Sequence, residues 1–301
     1  MGCLQFSEGK GGSRGLFASV PASQRNQIVQ AALNGGVNWF DTAELYGWGR
    51  SERGLAEALT QAGKTNAEVR IATKWNPMLR TARPITRTIR TRQTNLEGYT
   101  IDLYQIHAPV SFATRRSEMN AMADLVDSGQ IGAIGVSNFN ARQMRRAHEI
   151  LHSRGMRLAA NQVRYNLADR RIESNGILDT AKELGITIIA YSPLFMGLLS
   201  GKFHSDPQSF DRLPIIRRRM LHRRFGQSGE LVNALEQIAR AHGTTAAQVA
   251  LNWLINAHGD TVVAIPGAST VSQAKENAEA MRFTLTDQEA VQIDALSREI
   301  V

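Results

Sequence analysis

The 301-residue sequence contains one cysteine, Cys3. A single thiol excludes a disulfide framework and any metal cluster built on several cysteines. Proline is scarce at 8 residues, and no linker, repeat or low-complexity stretch divides the chain. No apolar run approaches the ~18 residues of a membrane helix. The start lacks a charged segment leading into an apolar stretch, so secretion is not indicated. MGCLQFS falls short of a myristoylation pattern because Phe6 stands where Ser or Thr is needed. These absences predict a cytoplasmic protein with no membrane partner. Excess negative charge is also missing: Lys plus Arg is 35, Asp plus Glu is 27, and the net charge is +8. Residues 212–224 (RLPIIRRRMLHRR) hold six arginines and no acid, and subtracting those six leaves only +2. A nucleic-acid binder usually shows a wider basic face with interleaved aromatics or a known module. Neither is visible, so no nucleic-acid partner is expected. The segment reads as a solvated loop or helix start, or as a loop facing the phosphates of a bound nucleotide.

What is present is a rhythm. Short apolar runs at 2–6, 37–40, 69–73, 101–106, 131–136, 158–163, 186–191 and 261–265 read as strands. Between them lie helical patterns. One at 22–34 stops at Gly35-Gly36, one at 51–63 takes Ser51 as cap, and one at 84–97 opens on Pro84. Others run over 117–128, 140–153, 174–184, 229–242, 245–256, near 271–280 and over 287–298. The stretch from 192 to about 227 reads as irregular. Strand–helix alternation means a parallel sheet. Eight such units in this length predict an α/β fold, a (β/α)8 TIM barrel forming one domain over 1–301. The glycine cluster GKGGSRG (9–15) does not fit the dinucleotide pattern GxGxxG and reads as a flexible loop.

In such a barrel the chemistry sits at the C-terminal ends of the strands. Asp41 and Tyr46 follow the second strand, Lys74 the third and His107 the fourth. Each has a duller explanation alone: a turn cap, a packed loop aromatic, a solvated strand end, a hydrogen-bonded core histidine. Four such coincidences at three adjacent strand ends are improbable. A free tyrosine has a pKa of about 10, and a nearby ammonium lowers it. A carboxylate holds that ammonium charged and in place, and a histidine orients a carbonyl oxygen. The set suits proton donation to a developing alkoxide. Carbonyl reduction also needs a hydride, which side chains cannot supply, so a nicotinamide cofactor is implied.

The segments GVNWFDTAELYGWGRSE (36–52), IATKW (71–75), IDLYQIHAP (101–109), GVSNF (135–139), NQVRYN (161–166) and YSPL (191–194) closely resemble the aldo-keto reductases, in that family's order and from about residue 2 to about 281. The resemblance implies a (β/α)8 barrel and an NADPH-dependent enzyme reducing aldehydes or ketones. It implies Tyr46 as general acid, Lys74 lowering its pKa, Asp41 pairing Lys74 and His107 orienting the substrate. It also implies Ser137, Asn138 and Gln162 as the nicotinamide carboxamide clamp, with Tyr191 stacking on the ring. Ser192, Pro193, Leu194, Gly197, Leu199, Ser200 and Lys202 match the loop that meets the pyrophosphate. In GASTVSQAKEN, with Ile265 just ahead of it, Gly267, Ser269, Gln273, Glu276 and Asn277 match the adenosine phosphate site, where helix-start amides also favour an anion.

Two departures stand out. Many relatives carry Lys or Arg where this chain has Gly267 and Gln273. The Ser…Gln version resembles a branch that includes the potassium-channel β-subunits. NADPH is expected ahead of NADH, with the 212–224 arginines as a source of missing positive charge. Met1 falls within the expected first strand, so the family's β-hairpin over the barrel floor is missing or the start is misplaced; a missing hairpin is expected to cost burial and stability rather than chemistry. Trp48, Trp75 and Phe139 lie beside site residues on three loops and are expected to wall an apolar substrate pocket. The expected partner is a small carbonyl substrate, on a monomer or weak homo-oligomer, with no metal. An NADPH-binding redox-sensing or regulatory subunit with little turnover is the alternative function.

Overall fold

Alternate residues of a strand face opposite sides of a sheet, and here the two faces bury different cores. A computed structural model describes residues 1–9 and 20–300. Its strands are β1 (Trp39–Asp41), β2 (Arg70–Trp75), β3 (Leu103–Ile106), β4 (Ala133–Ser137), β5 (Leu158–Arg164), β6 (Thr187–Tyr191) and β7 (Val262–Ala264). They pair in parallel in chain order. Ala72, Leu103, Ala160, Ile189 and Ile265 form a small inner cluster. Ile71, Tyr104 and Ile188, next to three of them, and Ile134 and Val262 on β4 and β7 belong to a larger outer cluster shared with the helices. The sheet is therefore curled round a lumen, the arrangement of a (β/α)8 barrel.

The helices are α1 (Ala22–Asn34), α2 (Arg50–Gln61), α3 (Arg83–Asn95), α4 (Arg115–Asp127), α5 (Ala141–His152), α6 (Ile177–Leu184), α7 (Lys202–Ser205), α8 (Pro207–Asp211), α9 (Ile215–Gln227), α10 (Gly229–His242), α11 (Ala246–Asn256), α12 (Val271–Glu279) and α13 (Asp287–Arg298). At most of the expected helices the boundaries move by one to three residues. Asn140, Thr245 and Thr286 each make a reciprocal capping box at a helix start, which satisfies two orphan amides. No helix among the described residues is long and apolar enough to cross a membrane.

Three expectations change. The strand at 2–6 shrinks to Gly2, which bridges both Asp41 of β1 and Gly267 beyond β7 and so joins the two edges of the sheet. The ladder includes Gly2 N–H to Pro266 O at 3.0 Å and Cys3 N–H to Asp41 O at 2.8 Å. Leu4–Ser7 then curls into a 3₁₀ turn. The reason lies in the spacing: the fully buried residues Cys3 and Phe6 are three apart, one helical turn, rather than two apart as a strand needs. Ser51 is not a cap. It lies inside α2, whose N-cap is Gly49, and its hydroxyl donates to Cys3 O at 2.7 Å. The supposedly irregular 192–227 stretch carries a 3₁₀ segment, α7, α8 and α9. Most of the arginine-rich segment is thus helical. The glycine cluster at 9–15 lies, from Lys10 onward, outside the described residues.

Buried charge ties α2 and α3 to the sheet. Glu52 of α2 has no solvent exposure. It meets Arg92 at 3.1 Å, Asn95 at 2.8 Å and Thr73 of β2 at 2.7 Å. Burial still pushes its carboxyl pKa upward against those partners.

Candidate active site

Lys74 sits on the lumen face of β2, two residues beyond inner-core Ala72. It is fully buried, and a buried ammonium needs partners. Nζ donates to Asp41 Oδ1 at 2.5 Å, to Thr42 O at 2.9 Å and to the Tyr46 hydroxyl at 3.4 Å. Burial works against its charge, but Asp41 and then Tyr46 outweigh it, and the net pKa shift is upward. Asp41 Oδ2 accepts from Gln162 Nε2 at 2.8 Å and from Gln105 Nε2 at 3.2 Å. The carboxylate is thereby fixed on both oxygens.

Tyr46 is held by the loop after β1. The next residue, Gly47, has φ +66°, and a Cβ there would lie 2.6 Å from Ser7 O. Only glycine lets this loop close against the Leu4–Ser7 turn. Burial raises the Tyr46 pKa above its ordinary value, while the Lys74 ammonium pulls it down and Asp41 adds to the rise. Lys74 therefore acts in the expected direction, but burial outweighs it and sets the net shift. The phenol stays protonated at neutral pH, and Lys74 is placed to favour the phenolate when the proton leaves. His107 follows β3 directly, with its N–H on Trp75 O at 3.1 Å. Its ring stands edge-on to Tyr46 with centres 5.8 Å apart. Burial first, then the Lys74 charge, lowers its pKa to about 3, so the imidazole is neutral. Buried Nδ1 has no partner among the described residues.

These groups open on a cavity of about 950 Å³, within the size range of cofactor sites. Asp41, Tyr46 and His107 line it, with Lys74 behind them. Ser137, Asn138, Gln162 and Tyr191 line the next part of the wall. Asn138, at φ +60°, donates to Ser137 Oγ at 3.0 Å and accepts from the Tyr191 hydroxyl at 3.0 Å. Ser192, Pro193, Leu194, Gly197, Ser200 and Lys202 form the wall beyond β6. Past β7 come Ile265, Gly267, Ser269, Gln273, Glu276 and Asn277. There Gln273 Oε1 accepts from Ser269 N at 2.8 Å, and Asn277 Nδ2 donates to Gly267 O at 3.2 Å. No lining residue from Ser269 to Asn277 is cationic. An exposed aromatic face, amide groups beside it, a basic connection and a helix N-terminus in one long cavity suit a dinucleotide.

Four expected site residues fall elsewhere. Leu199 is fully buried in the outer core rather than on the wall. Trp75 has no exposure because alternation turns it away from the lumen that Lys74 faces. Phe139 is equally buried, under the Arg115 guanidinium 4.1 Å from its ring centre. Trp48 is 57% exposed beside Tyr46 and does not line the cavity. The converse omissions are Gln105, Arg164 and Arg217. Gln105 was legible as a lone polar residue on the lumen side of LYQI, two positions after Leu103. Arg164 was legible as two positions after Gln162. Arg217 and Met220 of α9 reach the cavity wall, and Arg217 donates to Met196 O at 2.5 Å. This contact required knowing that the segment is helical.

Comparison with known proteins identifies the family of the chain. The model of the "Aldo/keto reductase family" matches residues 2–298. An uncharacterized oxidoreductase of Mycobacterium tuberculosis is 38% identical over 291 residues, covering 96% of this chain and 85% of that protein. The chloroplastic pyridoxal reductase of Arabidopsis thaliana is 33% identical over 290 residues, covering 92% and 77%. The crystal structure of an aldo/keto reductase from Klebsiella pneumoniae in complex with NADP and acetate superposes with a TM-score of 0.71 at 26% identity, covering 94% and 93%.

Proposed function

The chain belongs to the aldo/keto reductase family, and from that premise we propose that it reduces aldehydes or ketones to alcohols with NADPH, Tyr46 being the general acid. The observation carrying this reading is Lys74, held at once by Asp41, Thr42 O and the Tyr46 hydroxyl at the cavity wall. When bound, the dihydronicotinamide supplies the hydride that reduces the carbonyl carbon. Neutral His107 and the Tyr46 hydroxyl hold the carbonyl oxygen. As negative charge grows on that oxygen, Tyr46 transfers its proton to it. Lys74 then stabilises the phenolate from 3.4 Å, an interaction that strengthens as charge develops and so lowers the barrier. Asp41, locked by Gln105 and Gln162, keeps Lys74 charged.

Ser137, Asn138 and Gln162 would hold the carboxamide, and Tyr191 would stack on the ring. Lys202 and Arg217 would meet phosphates along the β6–β7 connection, and the start of α12 would take the adenosine end. The Klebsiella neighbour's NADP supports NADP(H) over NAD(H). A complete tetrad favours turnover over a purely sensing role. The direct test is a panel of aldehydes and ketones with NADPH and NADH side by side. Oxidation of NADPH, with NADH at least tenfold poorer in kcat/KM, is expected. No oxidation of either coenzyme would refute the reading.

A further inference from the structure

One cation at the barrel mouth has no role in the scheme above. Arg164 lies two positions beyond Gln162 and in register with Tyr191, so alternation turns it to the lumen side. It is half-buried. Its guanidinium lies 5.7 Å from the Tyr191 ring centre, and no carboxylate or hydrogen-bond acceptor holds it among the described residues. Lys202 and Arg217 belong to the β6–β7 connection, whereas Arg164 stands beside the carboxamide clamp.

Arg164 also borders a second hollow, of about 370 Å³. This hollow shares Asn138, Arg164 and Tyr191 with the main cavity. Its wall adds Asn140 and Asn175, neutral groups able to donate hydrogen bonds. Its one acid, Asp169, is paired by Arg171 with two contacts of 2.7 Å. The hollow therefore presents an uncompensated guanidinium with neutral donors round it. A planar guanidinium of this kind matches a carboxylate in two parallel hydrogen bonds.

We propose that Arg164 is a specificity-determining residue that binds a carboxylate on the substrate, the anionic tail resting in the side hollow, so that the enzyme prefers acidic aldehydes to neutral ones. The inference rests on the reductase reading. The test compares 4-carboxybenzaldehyde with its neutral methyl ester at saturating NADPH. The parent should favour the acid in kcat/KM. R164Q should lose about tenfold or more on the acid and less than twofold on the ester, with NADPH affinity unchanged, and R164K should recover part of the preference. Turnover of both aldehydes without a charge preference would overturn the proposal and leave the reductase reading intact. So would equal losses on both substrates, or a loss of NADPH affinity in R164Q. Turnover of neither aldehyde would return the reductase reading to the full aldehyde and ketone panel. Calorimetry of 4-(hydroxymethyl)benzoate on the NADP⁺-saturated protein then still decides. Binding weakened about tenfold by R164Q supports the subsite, and equal binding refutes it.

Discussion

Lys74 places its ammonium on three oxygens inside the protein, and its charge depends on Asp41. D41N should leave a buried cation without its counter-charge, a loss of about 3–5 kcal/mol, read as a lower urea midpoint at pH 7. The pH dependence gives a second readout. In the parent the folded-state pKa of Lys74 is raised, so its contribution is complete below the unfolded value of about 10.4 and fades only as pH rises through the folded value. In D41N burial is left to lower that pKa, and raising the pH from 7 to 10 should recover part of the lost stability. His107 behaves differently. Its folded pKa of about 3 lies below the unfolded value of about 6.5, so the unfolded chain binds the extra proton between them. Stability should fall as pH drops from about 6.5 toward 3, and H107Q should flatten that part of a urea-midpoint profile. An unchanged slope would mean that the imidazole is already charged in the fold.

At the scale of elements, the barrel rhythm was readable because strands and helices bury residues at different periods. The tetrad was readable because strand ends converge on one mouth. Side-chain direction was less so. Lys74 and Trp75 are sequence neighbours, but one faces the lumen and the other the helices, and a loop assignment hid that alternation. Leu199 was lost in the same way, inside a turn whose kink at Met196 and Gly197 leaves no period to read. The arginine-rich segment was legible in composition but not in shape. Its apolar residues form no buried stripe, Leu221 alone in α9 being buried, so the extent of α9 was not readable, nor that it presents Arg217 and Met220 to the cavity. R217Q should therefore weaken NADPH binding severalfold, most at low salt. R218Q/R219Q, on the same helix but off the cavity wall, should stay within about twofold. Fluorescence titration with NADPH checks both. Equal effects would assign the segment a diffuse electrostatic role.

At the scale of the molecule, the cavity spans lumen, β6–β7 connection and α12, so a ligand filling it ties together parts that are distant in sequence. Among the described residues, the two sheet edges are joined through the short segment at Gly2. A dinucleotide resting on Gly267 at one edge and Asp41 at the other should stabilise the whole barrel. At a hundred times Kd the gain is about 2.7 kcal/mol, visible as a rise in the thermal midpoint with NADPH and a smaller one with NADH at equal concentration. The central claim is that the Tyr46 hydroxyl supplies the proton. Single-turnover stopped flow on Y46F, preloaded with NADPH and mixed with an aldehyde that the parent reduces, tests it most directly. NADPH affinity should stay within about twofold of the parent while NADPH oxidation slows by about 10²–10⁴. Oxidation by Y46F at the parent rate would contradict that claim.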